Sequence, residues 1–209
     1  GVLTLVWVLI SYIGLFDLGL GRALIKLIAE KLGANKKDEI PTLIWTGLSI
    51  MFCTGVIVGG VTAVFLPWFV KVLLNIPLDL QKETLKAFYL IAGFVPIIVL
   101  SIALRGILEA HQRFDLTNIV RIPLGIFTFL APVLVLPFST SLFHIVALIL
   151  TGRMLACIVQ AGFCFRIVPS LGNKIAFESK MAGVLVRFGG WMTITNIISP
   201  VMIYLDRFF

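Results

Sequence analysis

The sequence predicts an all-α integral membrane protein that crosses a bilayer about six times. Three observations carry this expectation. Of 209 residues, 60% are hydrophobic and 13% charged, whereas soluble domains sit near half apolar and a quarter charged. The apolar residues form continuous runs of about 20, the length that crosses about 30 Å of hydrocarbon. The runs also lack the apolar–polar alternation, in pieces of about ten, that marks a membrane β-barrel, so helices are the expected way to satisfy the backbone in lipid.

Six segments qualify as spans. The first is about Gly1–Leu20, interrupted only by Asp17 near its end. The second, Leu43–Leu66, and the third, Ala87–Leu104, carry no ionisable side chain other than Cys53 and Tyr89. The fourth is Ile122–Pro137, the fifth about Leu142–Phe165 with His144 and Arg153 inside it, and the sixth Phe188–Leu205.

The connecting segments differ in charge. The first, third and fifth hold Arg22, Lys26, Lys31, Lys36, Lys37, Arg105, Arg113, Arg121, Arg166, Lys174, Lys180 and Arg187; the second and fourth hold only Lys71, Lys82 and Lys86. The positive-inside rule assigns the base-rich connections to the cytoplasm, so the residue 1 end is expected outside. The formal charge of +7 is therefore a topology signal, and no nucleic-acid partner is predicted. A chain that starts outside, with Gly1 in place of Met and apolar residues from Val2 onward, is expected to be a piece of a longer protein that lacks a preceding helix.

Two connections read as helices. Leu20, Ala23, Leu24, Leu27 and Ile28 share one face opposite Lys26, Glu30 and Lys31, which predicts a helix along the inner membrane surface or extending the first span. Gly33-Ala34-Asn35 should end it. On the other side, Asn75-Ile76-Pro77 should open a short amphipathic helix through Asp79, Gln81, Lys82 and Glu83, because proline is tolerated in a first turn. Prolines 96, 123, 132 and 137 and glycines 47, 55, 59 and 60 lie in or beside spans; they read as close packing at small residues or as hinges for alternating access. Trp68, Tyr89 and Tyr204 fit an aromatic belt.

Little in the chain suits enzyme chemistry. Cys53, Cys157 and Cys164 are odd in number, form no CxxC and read as small buried hydrophobes. His111 and His144 stand alone without metal-ligand spacing. No carboxylate pair shares a span face, and neither a P-loop nor GxSxG is present. No catalytic residue, metal or cofactor is predicted. His144 reads as an interfacial residue or a proton relay. Charge inside or beside the spans is the informative feature, because such residues face a bundle interior or a wet cavity. Arg153 is the deepest and reads as a buried structural pair or a snorkelling side chain. Asp17 and Arg22 could pair or line a cavity mouth, and Asp206 and Arg207 could anchor an interface. The set is more basic than acidic, which suits an anionic cargo, since an arginine fork pairs well with phosphate.

Several strings then become recognisable. Leu15-Phe16-Asp17-Leu18-Gly19-Leu20-Gly21-Arg22 with Ile28-Ala29-Glu30-Lys31-Leu32-Gly33-Ala34 resembles the second helix and first inner loop of the polysaccharide flippase family. That family belongs to the multidrug/oligosaccharidyl-lipid/polysaccharide (MOP) exporter superfamily. Leu74-Asn75-Ile76-Pro77 with Ala87-Phe88-Tyr89-Leu90, the stretch Gly106–Leu116, and Trp191 through Phe208 are similar to later parts of the same family. The resemblance implies helices two to seven of a two-lobed transporter of twelve to fourteen helices. Residues 1–187 would form the N-terminal lobe without its first helix, and 188–209 the first helix of the second lobe. It implies a flippase of the bacterial or archaeal cytoplasmic membrane. Such a protein moves undecaprenyl-pyrophosphate-linked oligosaccharide by alternating access, among membrane lipids and with H+ or Na+ as coupling ion. The cavity residues would be Asp17, Arg22, Arg187, Asn196, Asp206 and Arg207, with Arg153 more peripheral. Two other readings stay open: a cation-coupled drug or metabolite antiporter of the same superfamily, and part of a membrane glycosyltransferase or polymerase.

Overall fold

The computed structural model describes residues 19–68, 70, 78–137, 141–172 and 176–205, and for 78–80 and 193–205 the backbone only. Among these residues six α-helices follow in order: α1 (Leu20–Gly33), α2 (Ile40–Trp68), α3 (Leu78–Ala110), α4 (Phe114–Val135), α5 (Leu142–Ile167) and α6 (Ser179–Leu205). Short 3-10 turns at Lys37–Glu39 and Pro169–Gly172 precede α2 and follow α5. No strand occurs among the described residues. Among the described residues, four helices, α2 to α5, are long and apolar enough to cross a membrane. The predicted first span lies outside the described residues, apart from its last two. The sixth falls within α6.

The spans extend well beyond their apolar cores. α3 runs 33 residues, about 50 Å at 1.5 Å per residue. The separate outer helix expected before the third span does not exist as such: Leu78 onward is continuous with α3. Thr84-Leu85-Lys86 contains no breaker, so nothing stops the helix between the amphipathic turn and the apolar run. The same holds at the far end, where Arg105–Ala110 stay helical and the expected loop shrinks to His111, Gln112 and Arg113.

Two of these turns close in the same way. After α1, Lys36 N–H donates to Lys31 C=O at 2.9 Å and Asn35 N–H to Leu32 C=O at 3.1 Å, with Asn35 left-handed at φ 57°. After α3, Arg113 N–H donates to Leu108 C=O at 2.9 Å and Gln112 N–H to Glu109 C=O at 2.9 Å, with Gln112 at φ 58°. Both are Schellman motifs, which satisfy the carbonyls that a helix end leaves open. His111 adds a contact from Nδ1 to the Ile107 carbonyl, 2.8 Å away.

α1 forms as its periodicity predicts and stops where expected. Leu20, Ala23, Leu24 and Ile28 are buried on one face. That face is covered by α2, α3 and α6, so α1 is a packed element of the bundle, not a helix whose apolar side rests on lipid. Gly19 precedes it with φ 66°, a left-handed backbone that glycine adopts without steric cost.

The core lies along the α2–α3 seam and the α3–α5 seam. Small residues set the first. A Cβ on Gly55 would lie 2.6 Å from the Pro96 Cα and on Gly59 2.6 Å from the Ala92 carbonyl oxygen, while Gly47 faces α1, where its Cβ would meet the Leu24 side chain at 2.8 Å. Close approach of backbones is what small residues give membrane helices, so packing accounts for these three glycines. Gly60, one position on, meets nothing within 4 Å. The outward faces carry large apolar side chains such as Ile57, Val64, Ile126, Phe129 and Ile158, all more than half exposed, as lipid-facing surfaces are. Cys157 and Cys164 are buried as expected, but Cys53 is exposed on this outer belt of α2.

Candidate functional site

The chain reverses direction at each turn, so the base-rich connections converge at one end of the bundle. Contacts between elements fix that convergence. Trp45 in the first turns of α2 donates its indole N–H to the Leu171 carbonyl beyond α5, at 3.0 Å. Thr46 Oγ1 accepts the Glu178 N–H at 3.1 Å, just before α6. Gly106 near the end of α3 faces Gly21 and Ile25 of α1.

At this end α1 packs against α6. Lys26 Nζ sits 4.1 Å from the centre of the Phe188 ring, a distance at which a cation is held by the ring quadrupole. Arg187 precedes Phe188 in sequence. Arg22 stands one turn before Lys26, at the i,i+4 spacing that puts both on one side of α1. Arg22, Lys26 and Arg187 are all exposed. Glu30 lies 3.5 Å from Lys26; Arg187 makes no ion pair among the described residues. Lys26 over Phe188 thus ties α1 to α6, and Arg22 and Arg187 are exposed bases on the same two helices.

Other bases of this end are engaged differently. Lys31 is bound to Glu39, which Lys36 also approaches at 4.0 Å. Arg105 lies 3.4 Å from Glu109. Arg113 forms a two-point bond to Asp115, Nε to Oδ1 at 3.0 Å and Nη2 to Oδ2 at 2.8 Å; the carboxylate raises the guanidinium's pKa. No group of histidine, cysteine or carboxylate side chains suited to a metal occurs among the described residues.

Of the residues expected to line a cavity, Arg22 is exposed on α1 and Arg187 on α6, two helices that pack together. Asn196 lies in α6 with only its backbone described, and Asp17, Asp206 and Arg207 lie outside the described residues. Arg153 sits midway along α5, half-buried, with its Nε enclosed and lacking a hydrogen-bond partner. It forms no ion pair among the described residues. Two turns on, the Gln160 Oε1 is likewise buried and unpartnered. His144 is exposed in the first turn of α5, beside Glu83 of α3. That carboxylate faces Ser141 and the Leu142 and Phe143 N–H groups at the start of α5, while its Oε1 is buried without a hydrogen-bond partner.

A family model described as MatE matches residues 1–139, two thirds of the chain. The chain belongs to the MatE family. It is therefore a multi-pass membrane protein of the MOP superfamily, as the recognisable strings implied. Over 208 residues it is also 30% identical to a Shigella flexneri protein named "Putative O-antigen transporter". That match covers all of this chain and 49% of the relative, so the chain spans about half the length of the curated relative it matches. No solved structure matches the chain.

Within this MatE chain, sequence reasoning did not single out Lys26, which the structure sets over Phe188. Its polar-face position on α1 was legible, and its i,i+4 spacing from Arg22 was the available signal. What the sequence could not supply was Phe188, 162 positions away, as its neighbour.

Proposed function

We propose that this chain supplies the N-terminal lobe, and the first helix of the second, of a flippase for undecaprenyl-pyrophosphate-linked oligosaccharide. The observation that carries the proposal is the α1–α6 seam, where Lys26 lies over Phe188 and Arg22 and Arg187 are exposed on the same two helices, where two lobes would meet. The name of the Shigella relative supports the same cargo class. The base-rich turns support an assignment of this end to the cytoplasm, and residue 1 to the outside, by the positive-inside rule.

The physical logic is as follows. A pyrophosphate is costly to bring into hydrocarbon, because an unpaired charge in a low dielectric carries a large desolvation penalty. Guanidinium and ammonium groups at a hydrated seam replace its water with charge-assisted hydrogen bonds. The sugar stays in the wet cavity and the lipid tail stays in the bilayer. Rocking of the lobes then changes which side of the membrane the cavity faces. A coupling ion, H+ or Na+, would bias that cycle; Asp17 and Asp206 are the carboxylates placed by the sequence near the first and last spans.

Alanine at Arg187 or Lys26 in the full-length protein tests this. The expected result is a large drop in surface glycan at normal protein abundance. Wild-type glycan in both variants removes the seam from the cargo path.

A further inference from the structure

An apolar cavity of about 400 Å³ lies between α2, α3 and α5 near the base-rich end. Leu48, Leu104 and Ala161 form its walls, and Trp45 and Leu171 close it where the indole donates to the Leu171 carbonyl. It opens sideways between Phe52 of α2 and Ile158 and Phe165 of α5. These three are exposed, at 47%, 58% and 46%, and belong to the outer apolar belt. The solvent at the mouth is therefore hydrocarbon. A cavity lined by apolar side chains offers water no hydrogen-bond partners, and left empty it would forfeit the dispersion contacts of its lining.

The base nearest the mouth along the chain selects the occupant. Arg166 follows Phe165 directly, is exposed, and makes no ion pair among the described residues. No acidic residue lines the cavity. The groove spans Ile44 to Phe52 along α2, about 12 Å at helical rise, the reach of a chain end and not of a headgroup.

We infer that this groove holds one acyl chain of an anionic phospholipid, whose phosphate rests on Arg166. The bound lipid is a fixed part of the lobe: it fills the gap that α2, α3 and α5 leave open, and it is independent of whatever cargo the α1–α6 seam takes.

Trp45 is the reporter. In a full-length variant keeping Trp45 as its single tryptophan, reconstituted in phosphatidylethanolamine vesicles, phosphatidylglycerol with brominated chains is added at low mole fraction. Saturable quenching is expected well above that given by brominated phosphatidylcholine. Arg166→Gln should lower the preference for the anionic lipid roughly fivefold, the effect of one base near an anionic headgroup. Ala161→Phe should fill the groove and abolish the saturable component, with Ser49→Phe as a second filling variant should Ala161→Phe fail to fold. Gly162→Phe, at a position open to lipid, should leave it intact. Quenching that follows bulk mole fraction alone, or survives groove filling, overturns the inference. Displacement by undecaprenyl phosphate but not by unbrominated phosphatidylglycerol overturns the assignment to a phospholipid.

Discussion

Gly55 of α2 and Pro96 of α3 approach so closely that a Cβ on the glycine would lie 2.6 Å from the proline Cα. The atom in the way is backbone, so no rotamer change relieves it. Gly55→Ala should therefore separate the two helices and cost about 1–3 kcal/mol, the range for overpacking. Gly60→Ala, facing open space, should be neutral or gain up to about 1 kcal/mol from helix propensity. Thermal midpoints of the two purified variants in detergent check the contrast.

The α4–α5 contact offers a paired test. A Cβ on Gly152 would fall 2.5 Å from the Phe127 ring. Gly152→Ala alone should destabilise, whereas Gly152→Ala with Phe127→Leu should recover most of the loss. The coupling is expected at about 0.5–3 kcal/mol, as for residues in direct contact, from a double-mutant cycle of the same midpoints. Additive effects would show that the ring is not what the methyl group meets.

The segment between α5 and α6 is held to α2 by two hydrogen bonds, Trp45 to Leu171 and Glu178 to Thr46. Thr46 is fully buried and also donates to the Thr42 carbonyl at 2.7 Å. Thr46→Val should cost about 1 kcal/mol per bond lost and open the segment to protease. Faster tryptic cleavage at Lys180 is the readout.

Gln112 holds a left-handed backbone at φ 58°, which an L side chain disfavours by about 1–2 kcal/mol. Gln112→Gly should keep the Schellman turn and stabilise the protein by up to about 1 kcal/mol, since glycine is the favoured residue there. A rise in thermal midpoint checks it.

The apolar runs and the charge of the turns made the helices legible, because bilayer thickness and backbone satisfaction leave few alternatives. Leu20, Ala23, Leu24 and Ile28 announced α1 by spacing alone. The length of the helices was harder to read: Arg105 looks like a loop residue in a hydropathy profile yet is helical, and the outer helix expected through Glu83 runs on into the span, because polar residues continue a helix into water at no cost in backbone bonding. Partners were not legible. Nothing local to Glu83 says that it meets the start of α5, nothing local to Cys53 says that it faces outward, and nothing near Lys26 names Phe188. Those facts depend on which helix faces meet, and hydrophobicity around a membrane helix is too uniform to say.

The central claim is that the exposed cations of the α1–α6 seam engage the pyrophosphate of a lipid-linked oligosaccharide. The most direct measurement is binding of that lipid-linked oligosaccharide to the purified full-length protein in nanodiscs. The wild type is compared with Arg22→Ala/Lys26→Ala/Arg187→Ala and with a control, Lys36→Ala/Lys37→Ala, that removes exposed bases away from the seam. The account predicts at least a tenfold loss of affinity in the seam variant, about 1.4 kcal/mol, and little change in the control. Equal affinity in the seam variant and the wild type, with both folded, would contradict it.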